Sequence, residues 1–305
     1  MFALLRVALA AVMLALPFAA GAQVASPRVF ALAPLAPART IVFVGNSFTY
    51  GALSPVERFR PTTVVDLNGG GVGGVPALFK AFTAAVGLDY RVALETVGGA
   101  GLDLHWDQKR ALLDRPWDVV VLQGYSTLDE QDPGNGAKNA RYAGRLAEML
   151  RRANPDVRIE LVATWSRADQ VWQPGGHWYG KPIDRMARDL QRATVKARRA
   201  TPGIAGVIPV GLAWNRAFKT GLADANPYDG IDPGRISLWA EDQYHASTAG
   251  YYLSALMIFG RITGLDPRVL TRDERAARDL GLPPHVVAAL QDIAQETLEK
   301  EGGAR

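Results

Sequence analysis

Five short apolar runs, rich in β-branched residues and separated by stretches with helical spacing, constrain this chain more than anything else in it. The runs cover residues 40–44, 90–96, 117–123, 158–164 and 206–210. Each is too short for a helix and too continuous for a half-exposed strand, so each reads as a strand buried on both faces. Between them, residues 75–86, 104–113, 137–153 and 183–200 repeat apolar positions at helical spacing. Strand and helix in alternation imply right-handed crossovers and a parallel sheet covered by helices on both sides. "DVVVLQ", residues 118–123, has the unbroken run expected of a central strand.

The segments outside this alternation divide the chain. Residues 1–22, "MFALLRVALAAVMLALPFAAGA", carry one early charge, an apolar core and an A-x-A ending, as a secretory signal peptide does. Cleavage near Ala22 would place the protein in the periplasm or outside the cell. Residues 23–39 are rich in Ala and Pro and read as a linker. Residues 40–265 form the expected α/β domain, and residues 266–305 a helical extension packed outside the sheet. No later segment has enough uninterrupted apolar residues to span a bilayer.

Composition narrows the chemistry. The chain has no cysteine, which removes a thiol nucleophile, thiolate metal sites and disulfides, and leaves stability to the core. A formal net charge of +4 is spread through helical segments such as "RMARDLQRATVKARR", where acids and bases alternate on a solvated face. That pattern does not indicate nucleic acid. Metal motifs and phosphate loops are missing as well, so neither a metal nor another cofactor is expected.

In open parallel sheets, ligands meet the loops beyond the carboxyl ends of the strands. The first run ends in "VFVGNSFTYG", with Ser47; the second leads to "VGGAGL", with Gly99 and Gly101; the third ends in "VVVLQGYS", with Gln123. Beyond the last lies "DQYHASTAGY", with Asp242 three residues before His245. A serine needs a base to become a nucleophile, and His245 oriented by Asp242 is the best of four histidines. His285 reads as surface. His105, Trp106, Tyr125, Trp165 and His177 are possible substrate contacts, and Trp172, Trp178 and Trp239 are further aromatics that could stack on sugars or simply pack.

Two rival sites arise from local patterns. Ser126 in "GYSTL" imitates a nucleophile elbow, but Leu128 stands where its second glycine should be. Gly69, Gly71 and Gly74, followed by Glu95, have the spacing of a dinucleotide fingerprint. Asp66 and Asn68 interrupt the strand that such a fingerprint needs, so a loop over the site is preferred.

Taken together, the four post-strand motifs resemble those of the SGNH, or GDSL-type, hydrolases, over roughly residues 40–264. The resemblance implies a three-layer α/β/α, flavodoxin-like fold with a five-stranded parallel sheet. It implies Ser47 as nucleophile, with Asp242 and His245 completing the triad. The Ser47 amide, an amide from Gly99 or Gly101, and a side chain at position 123 would form the oxyanion hole. The chain departs from the family pattern in reading GNSFT rather than GDSL and in having Gln123 where Asn is usual. The expected activity is hydrolysis of a short acyl ester, plausibly acetyl, on a small molecule or glycan. An acyltransferase on the same triad, or a glycan-binding module with a decayed site, are the alternatives.

Overall fold

The computed structural model describes residues 38–302; the signal-peptide reading and nearly all of the linker lie outside them. The strands are β1 (Arg39–Gly45), β2 (Val65–Asp66), β3 (Tyr90–Thr96), β4 (Val119–Gln123), β5 (Arg158–Val162) and β6 (Ile204–Ile208). They form one parallel sheet in the order β2-β3-β1-β4-β5-β6. The expected count of five is therefore corrected to six. The addition, β2, is a two-residue edge strand paired only with β3. It is too short to show a periodic pattern, and the expectation had placed it in a loop.

Four short or mid-length helices precede β4: α1 (Ser47–Tyr50), α2 (Gly74–Ala85), α3 (Leu102–Leu104) and α4 (Arg110–Leu113). A π-helical turn at His105–Lys109 joins the last two. Then come α5 (Ala137–Ala153), α6 (Ala168–Trp172), α7 (Asp184–Ala200), α8 (Val210–Lys219), α9 (Thr248–Thr263), α10 (Arg275–Asp279) and α11 (Pro284–Gly302).

Strand alternation divides the core into two layers. In β1, Ile41 and Phe43 face a cluster with Phe79 and Phe82 of α2, Trp214 of α8 and Leu253 and Met257 of α9. Val42 and Val44 face the opposite cluster, with Ala143, Leu146 and Leu150 of α5. Val287, Leu290 and Ala294 of α11 belong to the first cluster, so the C-terminal helix extends the same core. Helix α9 is buried along nearly its whole length, started by the Ser247 hydroxyl accepting from Gly250 N–H and stopped by left-handed Gly264.

This order puts the reversal of connection direction at β1 and β4, with β3 on the far side of β1. The carboxyl ends of β1 and β4 border a topological switch point, the usual place for a ligand in such sheets. Among the described residues, no helix is long and apolar enough to cross a membrane.

Candidate functional site

Strand β1 ends in a tight turn that displays Ser47. The Asn46 side chain accepts from Phe48 N–H at 3.1 Å and caps α1. Its amide nitrogen donates to the carbonyls of Ala100 (2.8 Å) and Gly124 (3.2 Å), tying the turn to the loops after β3 and β4. Gly45 must lack a side chain, because a Cβ there would collide with Thr49 and Gln123. From the other side, the Tyr251 hydroxyl of α9 shares its proton between the carbonyls of Ser47 (3.2 Å) and Ala52 (3.1 Å). Ser47 is thus held from three directions and is 5% exposed.

The Asp242–His245 turn is similarly braced. One Asp242 oxygen accepts from the N–H groups of Tyr244 (3.1 Å) and His245 (2.9 Å); the other meets His245 Nδ1 at 2.6 Å. Because the carboxylate is an acceptor, Nδ1 carries the hydrogen and Nε2 is left with a lone pair. Partial burial acts to raise the Asp242 carboxyl, but its bonds to His245 and to the Tyr244 N–H outweigh that and hold it below the ordinary carboxylate value. Gln243 pays for the compact turn with a left-handed backbone, φ +58°.

The neighbouring loop after β5 fixes this turn. Ala168 N–H donates to Gln243 O at 3.1 Å and Trp165 Nε1 to Tyr244 O at 3.3 Å. Arg167 lies over the Tyr244 ring, 3.7 Å from its centroid, while Asp169 grips the guanidinium through both oxygens. Phe48, the residue after Ser47, packs edge-on against the His245 ring at 5.8 Å. The structure therefore brings Ser47, Asp242 and His245 to one end of the sheet. No hydrogen bond joins the Ser47 hydroxyl to His245 in this state, and such bonds commonly tighten only when substrate is bound.

Around Ser47, the N–H groups of Ser47, Gly99 and Gly101 have no acceptor among the described residues. They are free to face developing negative charge. Gln123 is placed differently from the expectation. Its Oε1 accepts from Asn46 N–H (3.1 Å) and the Thr49 hydroxyl (2.9 Å), and its Nε2 donates to Gly124 O. The partners fix the amide's orientation, since a backbone N–H can only donate and a carbonyl only accept. Gln123 thus ties the Ser47 turn to β4 and spends one N–H on the chain itself, because its extra methylene folds the amide back onto the backbone.

The other predicted contacts separate by burial. His105 is 0% exposed and bonded to buried Glu95 at 2.5 Å, so it does not line a rim. The π-helical turn begins at this buried histidine and holds its ring against the end of β3 at Glu95. Trp165 is 2% exposed, stacked between Phe48 (4.0 Å) and Trp214 (4.8 Å), and is core rather than a sugar platform. Trp178 and Trp239 are also buried, bonded through their indole nitrogens to Asp189 and Ser166. Trp106 is half-buried beside Arg110 and Arg145. Trp172 is half-buried and bonded to Ala225 O. His177 is exposed, against Trp178. Only Tyr125, half-buried, lines a cavity that also includes Gly99 and Gly101.

Both rivals have structural explanations. Ser126 is 1% exposed, with its hydroxyl accepting from Arg167. A Cβ on Gly73 or Gly74 would strike the backbone of Phe59 or of Thr49 and Tyr50, so these glycines allow α2 to approach the Ser47 turn. Glu95, the acid required of a dinucleotide site, is occupied by His105 and Asn68. Arg167, Tyr251 and Asn46 were missed as supports, since nothing in "TWSRADQ" or in an apolar helix signals a distant partner.

No protein-family model matches the chain, and comparison with curated proteins finds no match. Solved structures do match. A DUF4886 family protein from Bacteroides uniformis is 18% identical, over 86% of this chain and 95% of its own, with a TM-score of 0.58. A candidate SGNH hydrolase from Slackia heliotrinireducens is 21% identical over 74% and 99%, with a TM-score of 0.48. A variant of an acetyl-xylooligosaccharide esterase from a Geobacillus is 16% identical over 75% and 95%, with a TM-score of 0.47. The likeness is one of fold: an α/β architecture built on a parallel sheet flanked by helices.

Proposed function

We propose that this protein is an exported serine hydrolase that removes short acyl groups, acetyl foremost, from hydroxylated substrates such as glycans. The observation that carries the reading is the Asp242–His245 pair, 2.6 Å apart, braced beside the Ser47 turn at the switch point of the sheet. In the reaction, His245 Nε2 takes the Ser47 proton as Oγ attacks the ester carbonyl. The tetrahedral oxyanion is met by the N–H of Ser47 and of Gly99 or Gly101. The C–O bond then breaks, with the imidazolium returning its proton to the departing alcohol. Water, deprotonated by the same imidazole, attacks the acyl-serine and releases the acid. Asp242 holds the ring in the required tautomer and offsets its charge.

The signal-like residues 1–22 support export, and mature protein should begin at Gln23 by N-terminal sequencing. For the chemistry, a fluorophosphonate probe should label Ser47, and Ser47→Ala should abolish both labelling and nitrophenyl acetate turnover. Labelling at Ser126, with Ser47→Ala still active, would overturn the assignment.

A further inference from the structure

Three arginines and two aromatic rings form a ladder where the π-helical turn meets α5. The guanidinium carbons of Arg110 and Arg145 lie 5.6 Å and 5.8 Å from the Trp106 ring centroid. Those of Arg145 and Arg141 lie 5.1 Å and 5.6 Å from the Tyr142 ring centroid. Each ring thus carries two cations, and Arg145 belongs to both. Trp106 and Tyr142 are half-buried and pack against the core cluster that includes α5, so they anchor the arginines. A guanidinium held over a ring keeps its edge N–H groups available for a planar acceptor.

Among the described residues, no carboxylate lies within ion-pairing distance of these three arginines. The nearby acids are committed elsewhere: Glu148 pairs with Arg152 at 2.9 Å and Asp103 with Lys138 at 2.7 Å. Asp107 offers Arg110 only its backbone carbonyl, at 3.4 Å, beside the Trp106 carbonyl at 3.0 Å. The neighbouring helix α7 is built the other way, with Arg185 and Arg192 on Asp189 and Arg188 on Asp184. Like charges four residues apart on a helix repel, as Arg141 and Arg145 must, and an external anion relieves that repulsion. What the ladder lacks narrows the anion. Its rings are half-buried beneath guanidinium groups, which leaves bases no open aromatic face to stack on. The exposed large apolar residues, among them Leu53, Val65 and Ile231, lie in other segments, so nothing in the ladder would enter a bilayer. A chain of carboxylates needs neither feature, because each can accept two parallel N–H bonds from one guanidinium.

We infer that the Arg110–Arg145–Arg141 ladder is a binding site for an acidic polysaccharide, whose uronate carboxylates pair with the three guanidinium groups. Lys138, Arg141 and Arg145 follow one side of α5 at helical spacing. Lys138 stands with Gly99 and Gly101 around one cavity, and Arg145 lies about 10 Å further along the helix. A chain held on the ladder therefore leads toward the Ser47 end of the sheet. The inference rests on the esterase reading only in taking that chain to be a glycan; binding at the ladder requires no catalysis.

The test is fluorescence anisotropy of the purified protein with labelled oligogalacturonate and, for comparison, a labelled dextran oligomer. Oligogalacturonate should bind and dextran should not. Arg141→Gln with Arg145→Gln should weaken binding about tenfold or more, the size of a lost charge-assisted hydrogen bond. Arg141→Gln alone, at an exposed position where folding is not at stake, should weaken it in the same direction. Arg199→Gln with Arg278→Gln removes the same charge at exposed positions outside the ladder, and should change binding less than about twofold because solvent and salt screen it. Arg141→Lys with Arg145→Lys keeps the charge but loses the planar fork, and should restore only part of the affinity. No binding, equal binding of dextran, equal losses in the two paired Gln variants, or full affinity with lysine would each overturn the ladder as a site. Tighter binding to a DNA duplex or to phosphatidylglycerol vesicles, with the same dependence on Arg141 and Arg145, would assign a different polyanion and overturn the acidic glycan. If the wild-type protein turns over no ester, the esterase reading fails, and the anisotropy still decides the ladder.

Discussion

Two histidine–carboxylate pairs with nearly the same contact distance sit in this protein, and they are built for opposite ends. His245–Asp242 spans 2.6 Å, with side chains 14% and 31% exposed. His105–Glu95 spans 2.5 Å, with both side chains at 0%. The first lies within one four-residue turn, on a loop beside the Ser47 turn. The second joins the end of β3 to the π-helical turn, and Asn68 adds a bond to Glu95 at 3.0 Å. His105 Nε2 is buried without a partner. A short contact to a carboxylate orients an imidazole in both places. If His245 is the base proposed above, what separates it from the rivet at His105 is whether the second ring nitrogen can meet a substrate.

Substitution should split the two pairs. The largest effect is expected from His245→Ala, with kcat/KM for nitrophenyl acetate reduced about 10⁴-fold or more and the melting temperature little changed. Asp242→Asn should cost less, because the base itself remains. Equal losses, in folded variants, would contradict these roles. Activity should also fall on acidification, since a protonated imidazole cannot accept the Ser47 proton.

His105→Ala should do the reverse. It strands Glu95 in the core, and breaking a buried pair of this kind costs about 3–5 kcal/mol. Denaturant unfolding should register the loss. If His105→Ala leaves stability intact but removes activity per folded molecule, the contrast between the pairs is wrong.

Gln123 lies between these extremes. Gln123→Ala removes the acceptor for Asn46 N–H and Thr49, so stability should drop by about 1–3 kcal/mol, with kcat falling alongside it. A kcat loss of about 10²–10³ with unchanged stability would instead identify its free N–H as an oxyanion donor.

The smallest effect concerns acid. The Asp242 carboxyl is held below its ordinary value of 3.8 in the folded protein. A depressed carboxyl contributes stability above the unfolded value and loses it as pH falls through the folded one. The melting-temperature gap between wild type and Asp242→Asn, present at pH 6, should therefore close below pH 3.8. A gap that persists there would show that hydrogen bonding, not ionisation, carries the contribution.

Much of the fold was legible because strand and helix periods are local. β3 and α5 coincide with their expected spans, and the other predicted strands shift by only a few residues. Helix α9 was missed for a physical reason: "TAGYYLSALMIFGRIT" is buried on nearly every side, so no polar stripe marks its period. Edge strand β2 was missed because two residues carry no period at all.

The sequence by itself determined the parallel α/β architecture and the positions at which a hydroxyl, glycine amides and an Asp-x-x-His turn follow the strands, because each depends on residues near one another along the chain. Only the tertiary structure decided burial and long-range partners. It put His105 against Glu95 of β3 and Trp165 between Phe48 and Trp214, and it left Asn139 Oδ1 buried without a partner. Those outcomes depend on contacts between segments tens of residues apart, and the same residue type serves as base, rivet or ligand contact according to what the fold places beside it.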